Sequence, residues 1–169
     1  MLRRLRETAP AGLVPLAWGF AAAAHVGALA PRSVLIGHGV MTTLLIAFAV
    51  LSYDDMRVHP VLRAWLAVIV AGVPVTLVGA YGVGAGDPTA AAVAVGGWAA
   101  LPAVALWYTG RVLPDDERAR AYTAGGVFSG AGAALFAVAV VAAPGLLLPA
   151  LALVGVGQTL GILTATLTY

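Results

Sequence analysis

The sequence contains no cysteine and no lysine, and only 9% of its 169 residues are charged. Without cysteine, disulfides, thiolate metal sites and cysteine nucleophiles are excluded. A soluble domain usually carries about 25% charged residues. A shortage on this scale indicates that most of the chain meets lipid or other helices, so the question becomes how many helices cross the bilayer.

Hydrophobic residues, in contrast, make up 62% of the chain. They fall into six apolar stretches, each near the ~20 residues that a ~30 Å hydrocarbon core requires. The basic flank at the start of the chain is typical of a signal peptide, but the stretch after it is about as long as a span and lacks a clean cleavage site, so it is interpreted as a retained helix. The sequence predicts an all-α integral membrane protein, one transmembrane domain over residues 1–169. The predicted helices are 10–30, 34–53, 61–84, 89–109, 121–143 and 146–168.

The arginines predict the orientation of this six-helix bundle, because cytoplasmic loops of membrane proteins are enriched in basic residues. If the N-terminus is inside, only Arg32 lies on an outer loop. The other eight fall on inner segments: Arg3, Arg4, Arg6, Arg57, Arg63, Arg111, Arg118 and Arg120. Both termini are therefore expected in the cytoplasm and the bundle in the cell membrane. Arginines confined to juxtamembrane loops do not indicate nucleic-acid binding.

Two histidines lie inside the predicted spans. His25 and His38 are each about six residues from the outer turn at 31–33, which predicts a matched depth of ~9 Å on consecutive antiparallel helices. Intramembrane ionisable residues are functional candidates because their burial in lipid is costly. We therefore expect the first two helices to carry whatever chemistry the bundle performs.

Small residues surround both histidines. His25 follows four alanines, and His38 lies between Gly37 and Gly39, which leaves room for a bulky flat group. Neutral imidazole is a standard axial ligand of haem iron. The sequence thus predicts a haem b site ligated by His25 and His38, with Gly37 and Gly39 beside it. Two further residues are expected to line the same pocket, Trp18 and Thr42.

The stretch Ile36-Gly37-His38-Gly39-Val40-Met41, with the apolar run to Tyr53, resembles the second helix of the haem–copper oxidase catalytic subunit. The resemblance implies that His38 is an axial ligand of a low-spin haem. The oxygen-reducing centre of that family needs several later histidines, and this chain has none after residue 59. The expected function is accordingly electron transfer or sensing of a diatomic gas, with a redox partner at the outer face, rather than oxygen reduction.

Other interpretations stay open. Neighbouring helices pack about 8–10 Å apart, so a haem requires splayed helices or ligands from two protomers. Met41 is three residues after His38, and imidazole with thioether suits copper(I), which makes His25, His38 and Met41 an alternative copper site. Both histidines also fit simple hydrogen bonds between packed helices. A solute transporter and a non-catalytic accessory subunit of a membrane complex are the remaining alternatives, and an enzyme is not favoured.

Three further features concern packing. Gly126 with Gly130, and Gly157 with Gly161, have the small-xxx-small spacing that allows close helix approach, either within one chain or across a homo-oligomer. Pro74 and Pro102 fall inside helices and predict kinks. Gln158, near the middle of the sixth span, is interpreted as a helix–helix hydrogen bond rather than part of a pathway.

Overall fold

The protein is a bundle of six helices in a computed structural model that describes residues 2–114 and 116–168, with the side chains of 11–114 and 116–167. Within these residues no strand is present. The helices are α1 Leu2–His25, α2 Pro31–Met56, α3 Pro60–Ala85, α4 Pro88–Val112, α5 Glu117–Val141 and α6 Leu147–Thr168, with a short 3-10 turn at Pro144–Leu146 before α6. The predicted all-helical class and six helices are confirmed.

Proline and glycine set most of the helix ends. Pro31, Pro60 and Pro88 each occupy the first turn of their helix, where the missing N–H removes no helical hydrogen bond. Gly86 ends α3 with a left-handed φ of 67°. Asp87 then begins α4, accepting hydrogen bonds from the N–H groups of Thr89 and Ala90.

The connection between α1 and α2 begins earlier in the chain than predicted. α1 ends at His25 rather than near residue 30, because Gly27 adopts a positive φ of 74° and turns the chain there. The turn therefore spans residues 26–30, and Pro31, expected within the turn, is the first residue of α2. The helix begun by Pro31 is one turn longer at its end than expected, since it continues to Met56.

Five helices in the described part of the chain are long and apolar enough to cross a membrane, namely α2 to α6. The described apolar part of α1, Ala11–His25, is shorter and extends about 22 Å, less than the ~30 Å hydrocarbon core. The protein is thus a multi-pass α-helical membrane protein.

The helices pack in the order α2, α3, α4, α5, α6, α1, and α4 also contacts α6. The N-terminal helix consequently lies against the C-terminal one, although α1 and α2 are consecutive in sequence. The buried core lies between α1, α4, α5 and α6, and its residues are Trp18, Ala99, Phe136, Ala150, Leu151 and Val154.

Glycines bring α4, α5 and α6 into backbone contact. A methyl group on Gly125 would lie 2.6 Å from the carbonyl oxygen of Gly157, and one on Gly157 would lie 2.5 Å from that of Gly125. A methyl group on Gly126 would meet the Trp107 backbone of α4, and one on Gly161 the Leu106 side chain. Three of the four glycines predicted to pack helices, Gly126, Gly157 and Gly161, therefore lie at contacts between helices of the same chain.

The fourth of these glycines, Gly130, faces open space: a methyl group added there would have no described atom within 4 Å. The in-chain alternative accounts for Gly126, Gly157 and Gly161. Association of two chains through this set stays a prediction, and of the four only Gly130 has free space for it.

Candidate functional site

His38 lies on the side of α2 that packs against α3. Its Nδ1 is 2.8 Å from the carbonyl oxygen of Val34. Because a carbonyl only accepts hydrogen bonds, Nδ1 is the donor of this pair. Nε2 faces Gly79 of α3, where an added methyl group would lie 2.6 Å away, with Ala94 of α4 beside it.

His25 is the last residue of α1 and is exposed. His38 is seven residues into α2, about 10 Å below the start of that helix. The expected matched depth is therefore wrong, and the early turn at Gly27 is the reason. The two imidazoles belong to different environments, one at a helix end and one at a helix–helix contact.

The other residues predicted around a haem are not gathered at one place. Trp18 packs against Gly155 of α6 and donates from Nε1 to Gln158, on the side of α1 away from α2. Gly37 receives the Phe20 ring of α1, which would be 2.8 Å from an added methyl group. Gly39 is exposed, whereas the remaining two residues, Met41 and Thr42, are partly buried.

A flat macrocycle does not fit between α2 and α3 with His38 in this conformation. A metal ligand bond to imidazole is about 2 Å long, and the α3 backbone at Gly79 already lies against Nε2. Within 11–114 and 116–167, no three His, Cys, Asp or Glu side chains are grouped to hold a metal ion. Haem ligation and copper ligation, which includes Met41, stay predictions.

The most developed polar feature of the interior is a hydrogen-bond network centred on Gln158 of α6, which is 7% exposed. Its Oε1 accepts from Trp18 Nε1 at 3.0 Å, and its Nε2 lies 2.9 Å from the Trp98 carbonyl oxygen and 3.1 Å from Ser129 Oγ. The Ser129 hydroxyl donates to the Ala99 carbonyl at 3.1 Å. The amide of Gln158 therefore joins α1, α4, α5 and α6, as the helix–helix interpretation predicted.

Pro102 explains why this network meets α4 at Trp98. A proline inside a helix has no N–H for the carbonyl four residues earlier, which here is the carbonyl of Trp98. In a bilayer core an unpaired carbonyl is costly, and a side chain of a neighbouring helix commonly satisfies it. The Gln158 amide supplies that donor.

Sequence reasoning missed Trp98, Ser129 and Thr76 as members of this network. A signal was available for the first, since Pro102 alone identifies the carbonyl that needs a donor. No comparable signal existed for Ser129 or Thr76, because their roles depend on which helices are neighbours.

Two tryptophan–threonine hydrogen bonds join α3 to α4. Trp98 Nε1 donates to Thr76 Oγ1 at 3.1 Å, and Trp65 Nε1 donates to Thr109 Oγ1 at 3.2 Å. Each threonine hydroxyl in turn donates to the carbonyl four residues earlier, at 2.8 Å for Thr76 and 2.7 Å for Thr109. The network thereby extends from α1 to α3, and among the described helices α2 lies outside it.

The outward surface of α2 has a row of small residues. Gly39, Thr43 and Ala47 recur every four residues and are all exposed. No described atom lies within 4 Å of a methyl group placed on Gly39, and the Thr43 hydroxyl donates to the Gly39 carbonyl at 2.9 Å. This row, here called the α2 groove, runs beside the larger exposed side chains of Val40 and Leu44.

Comparison with known proteins gives no relative for this arrangement: no protein-family model, no curated protein and no solved structure matches the chain.

Proposed function

We propose that this protein is a non-catalytic accessory subunit of a membrane complex and that a transmembrane helix of its partner docks on the α2 groove. The observation that carries the proposal is the incomplete packing of α2. Only 6% of its apolar span is buried, against 28% to 33% for the spans of α3 to α6. Because so little of α2 is buried against its own chain, most of its surface is available to a helix of another protein.

The groove has the chemistry of a helix-docking surface. Gly39, Thr43 and Ala47 repeat the small-xxx-small spacing with which membrane helices approach closely. Val40 is 56% exposed and Leu44 47%, and they form a ridge along one side of the groove. Between helices in lipid, close van der Waals packing of this kind replaces the hydrophobic effect as the source of affinity.

The absence of native cysteine makes a direct test practical. A single cysteine at position 43 (Thr43→Cys) carries a photoactivatable maleimide probe and is irradiated in the native membrane. A matched control is Val104→Cys, at a side chain of α4 that is 67% exposed. We expect one heterologous protein adduct from position 43, none from position 104, and loss of the adduct when Gly39→Leu fills the groove.

Two results would overturn this proposal. One is labelling of lipid alone at both positions. The other is an adduct consisting of two copies of the 17.0 kDa chain, which would identify a homodimer instead of an accessory subunit.

Haem binding is the second candidate function, and the hydrogen bond of His38 favours it. Ligating histidines usually donate their other ring N–H to a backbone carbonyl or carboxylate, and Nδ1 of His38 has such a partner in Val34. Ligation by Nε2 then requires the ring to swing away from Gly79. Oxidised and reduced visible spectra of protein from haem-replete cells test it: a Soret band lost in His38→Ala supports haem, and colourless protein contradicts it.

The finer topology belongs to the same proposal. All six helices, α1 included, cross the cell membrane, and both termini lie in the cytoplasm. This orientation is supported by the eight-to-one distribution of arginines between the two sides. The α2 groove then faces the bilayer, where a partner helix approaches laterally.

A further inference from the structure

Arg32 lies in the first turn of α2 and is exposed. It begins a row with four-residue spacing that continues through Ile36, Val40 and Leu44. Residues four apart lie on the same side of a helix and form a ridge along it. Val40 and Leu44 are the ridge beside the α2 groove, and Ile36, which is 59% exposed, extends this ridge to Arg32. The arginine therefore lies at the end of the ridge, on the side of α2 where the groove is.

A single docked helix can contact both the α2 groove and Arg32. Arg32 comes seven residues, or about two helical turns, before Gly39, so the two residues are about 10 Å apart along the axis of α2. A transmembrane helix is about 30 Å long. A helix of that length seated on the groove between Gly39 and Ala47 therefore extends to the level of Arg32.

The chain itself offers Arg32 no counter-charge. Among the residues whose side chains the structure describes, its guanidinium has neither a hydrogen bond nor an ion pair. The described connections at this end of the bundle, α1 to α2, α3 to α4 and α5 to α6, contain one acidic residue, Asp87. The Asp87 carboxylate accepts two backbone N–H groups at the start of α4, and α3 lies between α4 and α2. His25, exposed at the end of α1, carries no negative charge.

The position of Arg32 is also unlike that of the other arginines. In the proposed orientation the other eight lie on the cytoplasmic side, where basic residues are enriched, and Arg32 alone lies outside. A helix seated on the groove removes water from one side of this guanidinium, and covering a charge without an opposite charge is costly. Interfaces avoid that cost by electrostatic complementarity, and a carboxylate matches the guanidinium with two parallel hydrogen bonds.

We propose that the partner helix that docks on the α2 groove carries an aspartate or glutamate at its outer end, which pairs with Arg32. This inference rests on the proposed accessory function and specifies the chemistry of the partner. The small residues of the groove allow close approach, but they do not distinguish one end of the partner helix from the other. The ion pair does, and it thereby fixes the register of the partner on α2.

The photoadduct from position 43 tests the inference when native membranes are solubilised and diluted before irradiation. Arg32→Gln is expected to raise the concentration for half-maximal adduct about fivefold, at the upper end of what an exposed ion pair contributes. Arg32→Glu should raise it further, because like charges repel, and Arg32→Lys should have the smallest effect. The matched control is Arg63→Gln, at an exposed arginine in the first turn of α3, at the other end of the bundle. It should leave the dilution curve unchanged.

Exchange of the two charges separates an ion pair from a folding defect and from binding of lipid phosphate. Mass spectrometry of the adduct identifies the partner helix, and arginine in place of its outer acidic residue should restore the adduct in Arg32→Glu. An unchanged curve in Arg32→Glu, failure of this rescue, or a partner helix without an acidic residue at its outer end would each overturn the inference and leave the accessory function standing. Absence of any protein adduct from position 43 would overturn both.

Discussion

At the scale of single residues, Gln158 and Pro102 are two parts of one arrangement. The proline leaves the carbonyl of Trp98 without its helical partner, and the glutamine amide donates to that carbonyl at 2.9 Å. The same amide group reaches Trp18 and Ser129. A single side chain therefore satisfies the defect in α4 and joins three other helices to it.

Replacing Gln158 with Leu should destabilise the bundle by about 2 kcal/mol, because it leaves the Trp98 carbonyl and the Trp18 N–H unpaired in the interior. Unfolding in detergent, measured by titration with a denaturing detergent, gives the loss. The informative comparison is a double-mutant cycle with Pro102→Ala, which restores the N–H for the Trp98 carbonyl. We expect the cost of Gln158→Leu to fall by about 1 kcal/mol in that background, and full additivity would contradict the link between the two residues.

The histidines show what sequence reasoning at this scale achieved and missed. It singled out His25 and His38 together as the intramembrane histidines, and the structure places the His38 ring against Gly79 of α3. It placed His25 at the same depth, and this was wrong because the effect of Gly27 on the end of α1 was not anticipated. Apolar composition predicts that a helix is present, but the left-handed conformation of Gly27 determines where α1 ends.

At the scale of elements, α3 and α4 form a hairpin with an internal symmetry. α3 provides Trp65 and Thr76, α4 provides Trp98 and Thr109, and each tryptophan bonds a threonine of the other helix. Both pairs are centred in the sequence on Asp87, where the chain reverses direction. The two hydrogen bonds fix the register of the hairpin at two levels, so it is a rigid support for α2 on one side and α5 on the other.

The contact between His38 and Gly79 positions α2 on this hairpin. Gly79→Ala should cost about 1–3 kcal/mol through overpacking, since its methyl group would meet His38 Nε2. Adding His38→Ala should recover most of the loss. Thermal unfolding in detergent measures both variants. Gly130→Ala is the matched control, a helical glycine with open space around it, and should have no such cost.

The start of α5 depends on the charge of Asp116. The hydrogen bond from the Ala119 N–H, and then that from the Arg118 side chain, hold the pKa of this carboxyl below its ordinary value of 3.8. Because the folded state binds the proton less tightly than the unfolded chain, the stabilisation is present above pH 3.8 and is lost as the pH falls through the lowered pKa.

Asp116→Asn keeps an oxygen acceptor at the helix start and removes only the charge. The wild-type chain should therefore be the more stable of the two at about pH 7, and the difference should shrink at about pH 3. Thermal unfolding at the two pH values checks this. A difference that stays constant, or grows towards acid, would assign the effect to something other than ionisation of Asp116.

At the scale of the whole molecule, helix number and helix order were predictable, but helix neighbours were not. Long apolar stretches and prolines at the starts of α2, α3 and α4 mark the spans in the sequence. In lipid, however, helices choose partners by close backbone approach and hydrogen bonds rather than by hydrophobicity. The placement of α1 against α6 depends on the packing of Trp18 on Gly155 and on its hydrogen bond to Gln158. No local sequence pattern predicts these two contacts.

Orientation is testable with the same cysteine-free chain. Single cysteines replace Gly145, before α6, and Val58, between α2 and α3, where the native side chain is 74% exposed. In intact cells a membrane-impermeant maleimide should label position 145 and leave position 58 unlabelled until the membrane is permeabilised. Thr8→Cys should behave like Val58→Cys if α1 spans the bilayer. Labelling of position 8 from outside would show that α1 does not cross.

Because α1 packs against α6, the chain could begin at a different helix and still form the same bundle. In the proposed topology of six alternating spans, α1 and α6 lie side by side and Leu2 and Thr168 lie on the same face of the bundle. A circular permutant that begins at Pro31 and returns through a short linker from the end of α6 into α1 keeps every helix contact and every crossing direction. For the same reason α1, attached to α2 only through residues 26–30, is suited to rejoin the other five helices as a separate peptide.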